Sequence, residues 1–453
     1  MQFIVIDFET RSDIDLGKCG VWAYSESPRT EVICVSWGAP DGVIERWEPV
    51  LKNEPVPQAL HDLAADKSVI FEAHNAQFEQ AIWANVMVAR YGLPPVPIER
   101  WHDTMAVCLD KGLPGSLENA GHILGLSEQK DKYGKYLLQT LSKPEKFGSK
   151  QKREFEQAFG VSLTCNAYFR HDTELLQDCA AYCDQDVRTE GELSRRLGGL
   201  SARERKVWEL DQRINQRGLR IDIEAVEIAR DIVDETLENF ESVLRIITAG
   251  RLQTPGQRDK ALALIEELEG WRPQSWGASD LERALPSINN ETARRIVEIR
   301  LASAKSSTSK LDTMLNAVCN DGRIRGTLQY QGAGSTGRWA GRLVQPQNLP
   351  QGNVKADPDE LISDIKRGGA ASLVQKYGTG VLDCVSSALR GMFIPDGGNK
   401  FVAGDFSAIE ARVVLALAGQ DDKVNVMASG QDIYLDMASK IYGYKCTSKD
   451  EHP

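Results

Sequence analysis

The chain has 453 residues, 42% hydrophobic and 26% charged, with 38 glycines, 18 prolines and nine cysteines; this excludes collagen-like, disordered and disulfide-scaffold classes and leaves room for roughly two to four domains. No apolar run approaches the roughly 18 to 20 residues that span a bilayer, and no basic segment precedes the apolar stretch at Phe3, so a cytoplasmic protein with reduced thiols and no membrane partner is expected. The net charge of −11 argues against a polyanion partner for the surface as a whole, but Glu291 to Pro350 holds nine basic residues against four acidic, the footprint of local phosphate binding.

In chain order, Phe3 to Ile6 and Val32 to Trp37 read as strands. Ser68-Val69-Ile70-Phe71 is a third, leading through Glu72-Ala73-His74-Asn75 into a helix over 76–89 with Phe78, Ile82, Val86 and Ala89 at helical spacing. Strands alternating with helices predict an α/β domain over 1–200, closed by a helix from Thr173 to Leu197 that Gly198-Gly199 terminates. A mainly helical region follows over 201–325. Ser201 to Arg217 is one helix, Val226, Ala229, Val233, Leu237, Phe240, Leu244 and Ile247 form the packing stripe of a second, and another is expected over about 290–318. The last region, 326–453, starts loop- and strand-like up to Pro350, then offers a strand at Lys400–Gly404 and a helix over about 408–417.

Two constellations carry chemistry. Asp7 and Glu9 lie two apart on or just past a strand, so both side chains point to one face and together can ligate a hard cation. Asn75 and Glu79, and Tyr182 and Asp186, are each four apart on helices, so each pair shares a helix face. Singly, each pair is commonplace: surface charge at a strand end, a solvated helix acid, a partly buried aromatic. Together and in this order, they resemble the DEDD family of 3′ to 5′ exonucleases, in the form with a tyrosine in its third motif. That resemblance implies two Mg²⁺ or Mn²⁺ ions per active site, Asp7 bridging them, Glu9 and Asp186 holding the ion that activates water, Glu79 acting at the second ion and Tyr182 orienting the water. The second motif of that family usually ends in Asp; Glu79 is one methylene longer, so its metal contact is expected to be altered or mediated by water. Asp103-Thr104-Met105 also resembles a stretch of the exonuclease domain attached to polymerases.

The second constellation is Ser335-Thr336-Gly337-Arg338-Trp339, then Gln345-Pro346-Gln347-Asn348-Leu349-Pro350, then Gly404-Asp405-Phe406-Ser407-Ala408-Ile409-Glu410. These stretches resemble family A DNA polymerases, the first through the Thr-Gly-Arg motif and the last through motif A. The resemblance implies an RNase H-like exonuclease domain (1–200, a mixed sheet with helices), a helical thumb (201–325) and an incomplete α+β palm (326–453). It also implies that Asp405 and the carbonyl of Phe406 bind catalytic metal and that Glu410 excludes ribonucleotides. Arg338 is expected to read the minor groove at the primer terminus, and basic residues between 294 and 325, Lys305 and Lys310 among them, to take phosphates. Asn75, Thr336, Gln347 and Asn348 join this DNA-binding set; the partners are primer-template duplex, the single-stranded 3′ end and, in a full-length enzyme, deoxynucleotides. Nothing after Asp432 matches the family's finger helix or its second metal-binding Asp. The expectation is therefore the front part of a phage-type polymerase that proofreads but does not by itself extend a primer, acting in a bacterial cell or phage-infected host. Two other readings stay open: a stand-alone nuclease acting on RNA, which lacks any counterpart of Asp405 to Glu410, and a non-catalytic module that clamps duplex DNA. Replisome partners are not legible.

Overall fold

In the computed structural model, residues 2–127, 133–146, 153, 157, 167–303, 308–350 and 352–448 are described. The first strand, β1 (Gln2–Arg11), buries Ile4, Val5, Ile6 and Phe8, successive residues that point to opposite faces, which requires helices on both sides of its sheet. It sits at the centre of five strands. With β2 (Glu31–Gly38), β3 (Glu45–Trp47), β4 (Val69–Ala73) and β5 (Trp101–Asp103), the spatial order is β3-β2-β1-β4-β5. β1 pairs antiparallel with β2 and parallel with β4; β2–β3 is antiparallel and β4–β5 parallel.

The covering helices are α1 (Leu16–Glu26), α2 (Gln77–Ile82), α3 (Thr104–Asp110), α4 (Gly134–Leu141) and α5 (Thr173–Leu197). α5 lies across β1 and β2, burying Leu176, Cys179, Ala180 and Cys183 against Ile33, Cys34 and Leu141. Asp172 caps it, accepting from the backbone N–H groups of Glu174 and Leu175, and Gly198 ends it. The helix expected over 76–89 is α2, prolonged by a π-helical segment, Trp83–Val88. On this side of the sheet Phe71, Trp83 and Trp101 pack with ring centroids 5.2 to 6.3 Å apart.

The helical region contains α6 (Ala202–Arg217) and α7 (Ile223–Ile247), whose stripe buries Val226, Ala229, Val233 and Leu244 as its spacing predicts. The one helix expected over 290–318 is described instead as two, α8 (Glu291–Ser303) and α9 (Ser309–Ala317), with 304–307 outside the described residues. A hairpin follows, β6 (Leu328–Ala333) and β7 (Arg338–Gly341). The hairpin leads to Leu343, whose side chain packs on α1: a Cβ on Gly20 (φ +74°) would stand 2.8 Å from Leu343 Cδ1.

Met1–Ile394 is one compact unit and Pro395–Pro453 a second. The second unit contains α10 (Ile409–Leu417) and the helices Asp421–Ala428 and Ile433–Tyr442. The strand expected at Lys400–Gly404 is not formed: those residues are exposed and pair with no other strand among the described residues, and a strand needs a ladder partner. Phe401, Val402, Phe406, Leu417 and Ile441 of this unit are all more than half exposed. Among the described residues no helix is long and apolar enough to cross a membrane, and eight cysteines are buried free thiols.

Candidate functional site

The sheet and α5 bring three acids together. Asp7 and Glu9 leave β1 on one face, opposite Ser36 and Cys34 of β2, with a bulge directly after Glu9. Asp186 comes down onto them from α5, and ligand oxygens of Asp7, Glu9 and Asp186 lie within 4.8 Å of one another. One turn of α5 is pinned to β2 and β3 beside them, where Ser36 of β2 donates to Asp184 at 2.7 Å and Arg46 of β3 approaches Asp184 at 3.3 Å. Glu9 and Asp186 are buried, and Asp7 is half-buried.

Glu79, on the first turn of α2, stands outside that group of three but responds to it. Burial, and then the charge of Asp7, holds its carboxyl well above the usual range, and its Oε2 is buried with no hydrogen-bond partner among the described residues. Tyr182, buried and hydrogen-bonded to Asp186, has its phenol pushed far up by burial first and by Asp186 and Glu9 next. Its ring lies under α4, where a Cβ on Gly134 would fall 1.9 Å from Tyr182 Cε2. The donor set is all oxygen, compact and shielded, which fits a hard divalent cation such as Mg²⁺ or Mn²⁺.

Asn75 begins the turn into α2 with φ 75°, exposed, its backbone N–H donating to Asp103 at 3.1 Å. Asp103 itself is committed to structure. It caps α3 through the N–H groups of Met105 and Ala106 and accepts from Trp208 Nε1 at 3.3 Å. Behind this loop run polar contacts with no local sequence signal. His74 meets Thr104 at 3.0 Å, Thr104 donates to Glu190 at 2.8 Å, and His102 pairs with Glu72. Glu190, one turn past Asp186 on the same face of α5, is held well above its ordinary range by burial and by Glu72. Its spacing from Asp186 was the one available clue.

The Thr-Gly-Arg element forms the hairpin turn. Thr336 and Arg338 are exposed there, and Trp339 reaches back to donate to Asp211 of α6 at 2.7 Å. Asp211 also accepts from Asn215 and Gln212, and burial raises its carboxyl to about 7. Gln347 and Asn348 lie exposed on the short turn Pro346–Asn348. Between the hairpin and the His74–Phe78 loop opens a cavity of about 560 Å³ that Asn75, Gln77, Tyr330 and Arg342 help to line. Several of the basic residues expected to meet phosphate make internal contacts. Arg325 is bidentate to Asp321 at 2.6 and 2.8 Å and donates to Gln216 O, Arg295 pairs with Glu298, and Arg294 donates to Ile288 O. Lys310 is half-buried, and Lys305 lies outside the described residues. In the second unit, Asp405 and Phe406 are exposed ahead of α10, Ala408 takes φ 48°, and Glu410 is on the first turn of α10.

Comparison with known proteins bears on both regions. A model of DNA polymerase family A matches residues 226–452. A DNA polymerase of Bacillus phage SP02 is 33% identical over 447 residues, 98% of this chain and 65% of the phage protein. DNA polymerase I of Chloroflexus aurantiacus is 33% identical over 193 residues, 40% of this chain and 17% of that protein. Among solved structures, the POL domain of Pol1 from M. smegmatis, in complex with DNA primer-template and dNTP, is similar with a TM-score of 0.51 at 15% identity, covering 97% of this chain and 63% of that one. The chain thus spans about two thirds or less of the length of the relatives it matches.

Proposed function

The chain belongs to DNA polymerase family A, and from that premise we propose that its first 200 residues are an RNase H-like 3′ to 5′ exonuclease that trims mispaired primer ends, placed ahead of thumb and palm portions of a DNA polymerase. The observation that carries the exonuclease reading is the carboxylate trio Asp7, Glu9 and Asp186, with oxygens within 4.8 Å of one another at the centre of the sheet. The strand order β3-β2-β1-β4-β5, with the two pairings on the β2 side of β1 antiparallel and the two on the β4 side parallel, supports it.

Asp7, Glu9 and Asp186 would hold divalent metal, with Glu79 and its unsatisfied Oε2 at the rim. Bound Mg²⁺ or Mn²⁺, two ions per site, would supply a hydroxide nucleophile at neutral pH and neutralise charge on the leaving oxygen. Tyr182 keeps its proton in this buried acidic setting and donates it in a hydrogen bond to Asp186, which leaves its oxygen as an acceptor that can orient a water. Asn75 faces the cavity beside the hairpin, where an unpaired 3′ end has room, and the exposed Arg338, Thr336, Gln347 and Asn348 offer groups for the duplex. In the second unit, Asp405, with the Phe406 carbonyl, would bind metal for nucleotidyl transfer and Glu410 would select deoxynucleotides. The Bacillus phage relative fits action in an infected bacterial cytoplasm.

The test is a gel assay with a 5′-labelled primer on a template, Mg²⁺ and the four deoxynucleotides, run beside Asp7→Ala. Shortening should fall by at least about 100-fold in the variant, since loss of mere outer-shell partners already costs 10- to 100-fold. Equal shortening by both proteins would remove the assignment. Primer extension by this chain alone is not expected, and extension that Asp405→Ala abolishes would overturn that expectation and assign Asp405 to nucleotidyl transfer.

A further inference from the structure

Cys183 is fully buried between α5 and the sheet, and its Sγ lies 3.3 Å from Asp7 Oδ2 and 3.3 Å from Asp7 O. These are its two acceptors on β1, 176 positions away in the chain. Cys183 precedes Asp186 by three residues, so one face of α5 delivers both the third carboxylate of the trio and a thiol that touches the first. The thiol has one hydrogen and sits among Cys34, Leu141, Leu176, Cys179 and Ala180, with Cys34 and Ser36 of β2 also in hydrogen-bond contact with its sulfur.

We propose that Cys183 is a positioning residue for the metal centre, its S–H donating to Asp7 and fixing which carboxylate oxygen Asp7 turns toward the metal. This rests on the exonuclease reading of the same site. Three carboxylates within 4.8 Å repel one another, so without a fixed orientation Asp7 would rotate its oxygens away from Glu9 and Asp186. A donor held at Asp7 Oδ2 selects the rotamer in which the remaining lone pairs point into the trio. Ligands held by such outer contacts bind metal more tightly because less ordering remains to be done on binding. Cys183 touches Asp7 alone among the trio in these contacts, so its influence passes through that residue.

The experiment compares Cys183→Val and Cys183→Ser with the parent chain. Val preserves apolar volume and removes the donor; Ser preserves the donor and loses apolar contact. Mn²⁺ binding is followed by the loss of the free-ion electron paramagnetic resonance signal, and cleavage by steady-state kinetics on single-stranded DNA. Positioning through Asp7 predicts that Val raises the half-saturating Mn²⁺ concentration by about 10-fold and lowers kcat with KM for DNA unchanged, whereas Ser stays within about threefold of the parent. A purely packing role predicts the reverse order, with Val like the parent and Ser reduced in thermal stability, and that result overturns the proposal. A parent chain that cleaves DNA and binds Mn²⁺ while Val matches it sinks this inference and leaves the exonuclease reading standing. A parent chain that neither binds Mn²⁺ nor cleaves, with Asp7→Ala indistinguishable from it, overturns both.

Discussion

Burial, and then the charge of Asp7, raises the Glu79 carboxyl well above the usual carboxylate range. Such a group costs stability once pH forces it to ionise, so Glu79→Gln should raise the metal-free melting temperature above pH 7 while lowering nuclease activity. Differential scanning fluorimetry and the primer assay read the two halves of that trade, and a lower melting temperature for Gln would show that the carboxyl is stabilising after all. Asp211 makes a comparable case with a definite range. Its carboxyl is raised from an ordinary 3.8 to about 7, so between those values the folded chain binds a proton that the unfolded chain has released. Stability therefore declines as pH climbs through that window. Asp211→Asn keeps an oxygen for Trp339 Nε1 and cannot ionise; the fall in melting temperature from pH 5 to pH 8 should become shallower, and an unchanged slope would place the titration elsewhere.

At the scale of elements, α4 and α5 meet with no room between Gly134 and the ring of Tyr182. Gly134→Ala must push one of them aside, costing about 1–3 kcal/mol and, through Tyr182, activity. The double variant with Tyr182→Ala should lose less than the sum of the two single changes; additive losses in a double-mutant cycle would mean that the contact is relaxed at little cost. The same scale shows what was legible beforehand. β1, β2, β4, α5 and the stripe of α7 were readable because each is a local pattern of apolar residues with a capping or terminating residue nearby, such as Asp172 or Gly198. The trio at Asp7, Glu9 and Asp186 was readable because strand and helix periodicities put its members on common faces. Cys183 against Asp7, Trp339 against Asp211 and Trp208 against Asp103 were not, since each joins residues more than 100 positions apart and leaves no local trace. Lys400–Gly404 failed for the opposite reason: its local pattern is that of a strand, but a strand is a property of two segments.

For the whole molecule, charge and exposure divide along the chain. The local excess of base over 291–350 is in part neutralised at home, by Asp321 under Arg325 and Glu298 under Arg295, while Arg338 and Arg342 are among its exposed residues. Arg338→Ala should weaken primer-template binding and flatten its dependence on salt by about one ion, measured by fluorescence anisotropy across NaCl concentrations. The unit Pro395–Pro453 is of another character. Phe401, Val402, Phe406, Leu417 and Ile441 turn more than half of their surface to solvent within about fifty residues. In colloidal terms this makes the chain a patchy particle, with a net charge of −11 repelling at long range and a few greasy spots attracting at contact. Its osmotic second virial coefficient should therefore change sign from positive to negative as salt screens the repulsion, and a lysine at Val402 and Leu417 should keep it positive.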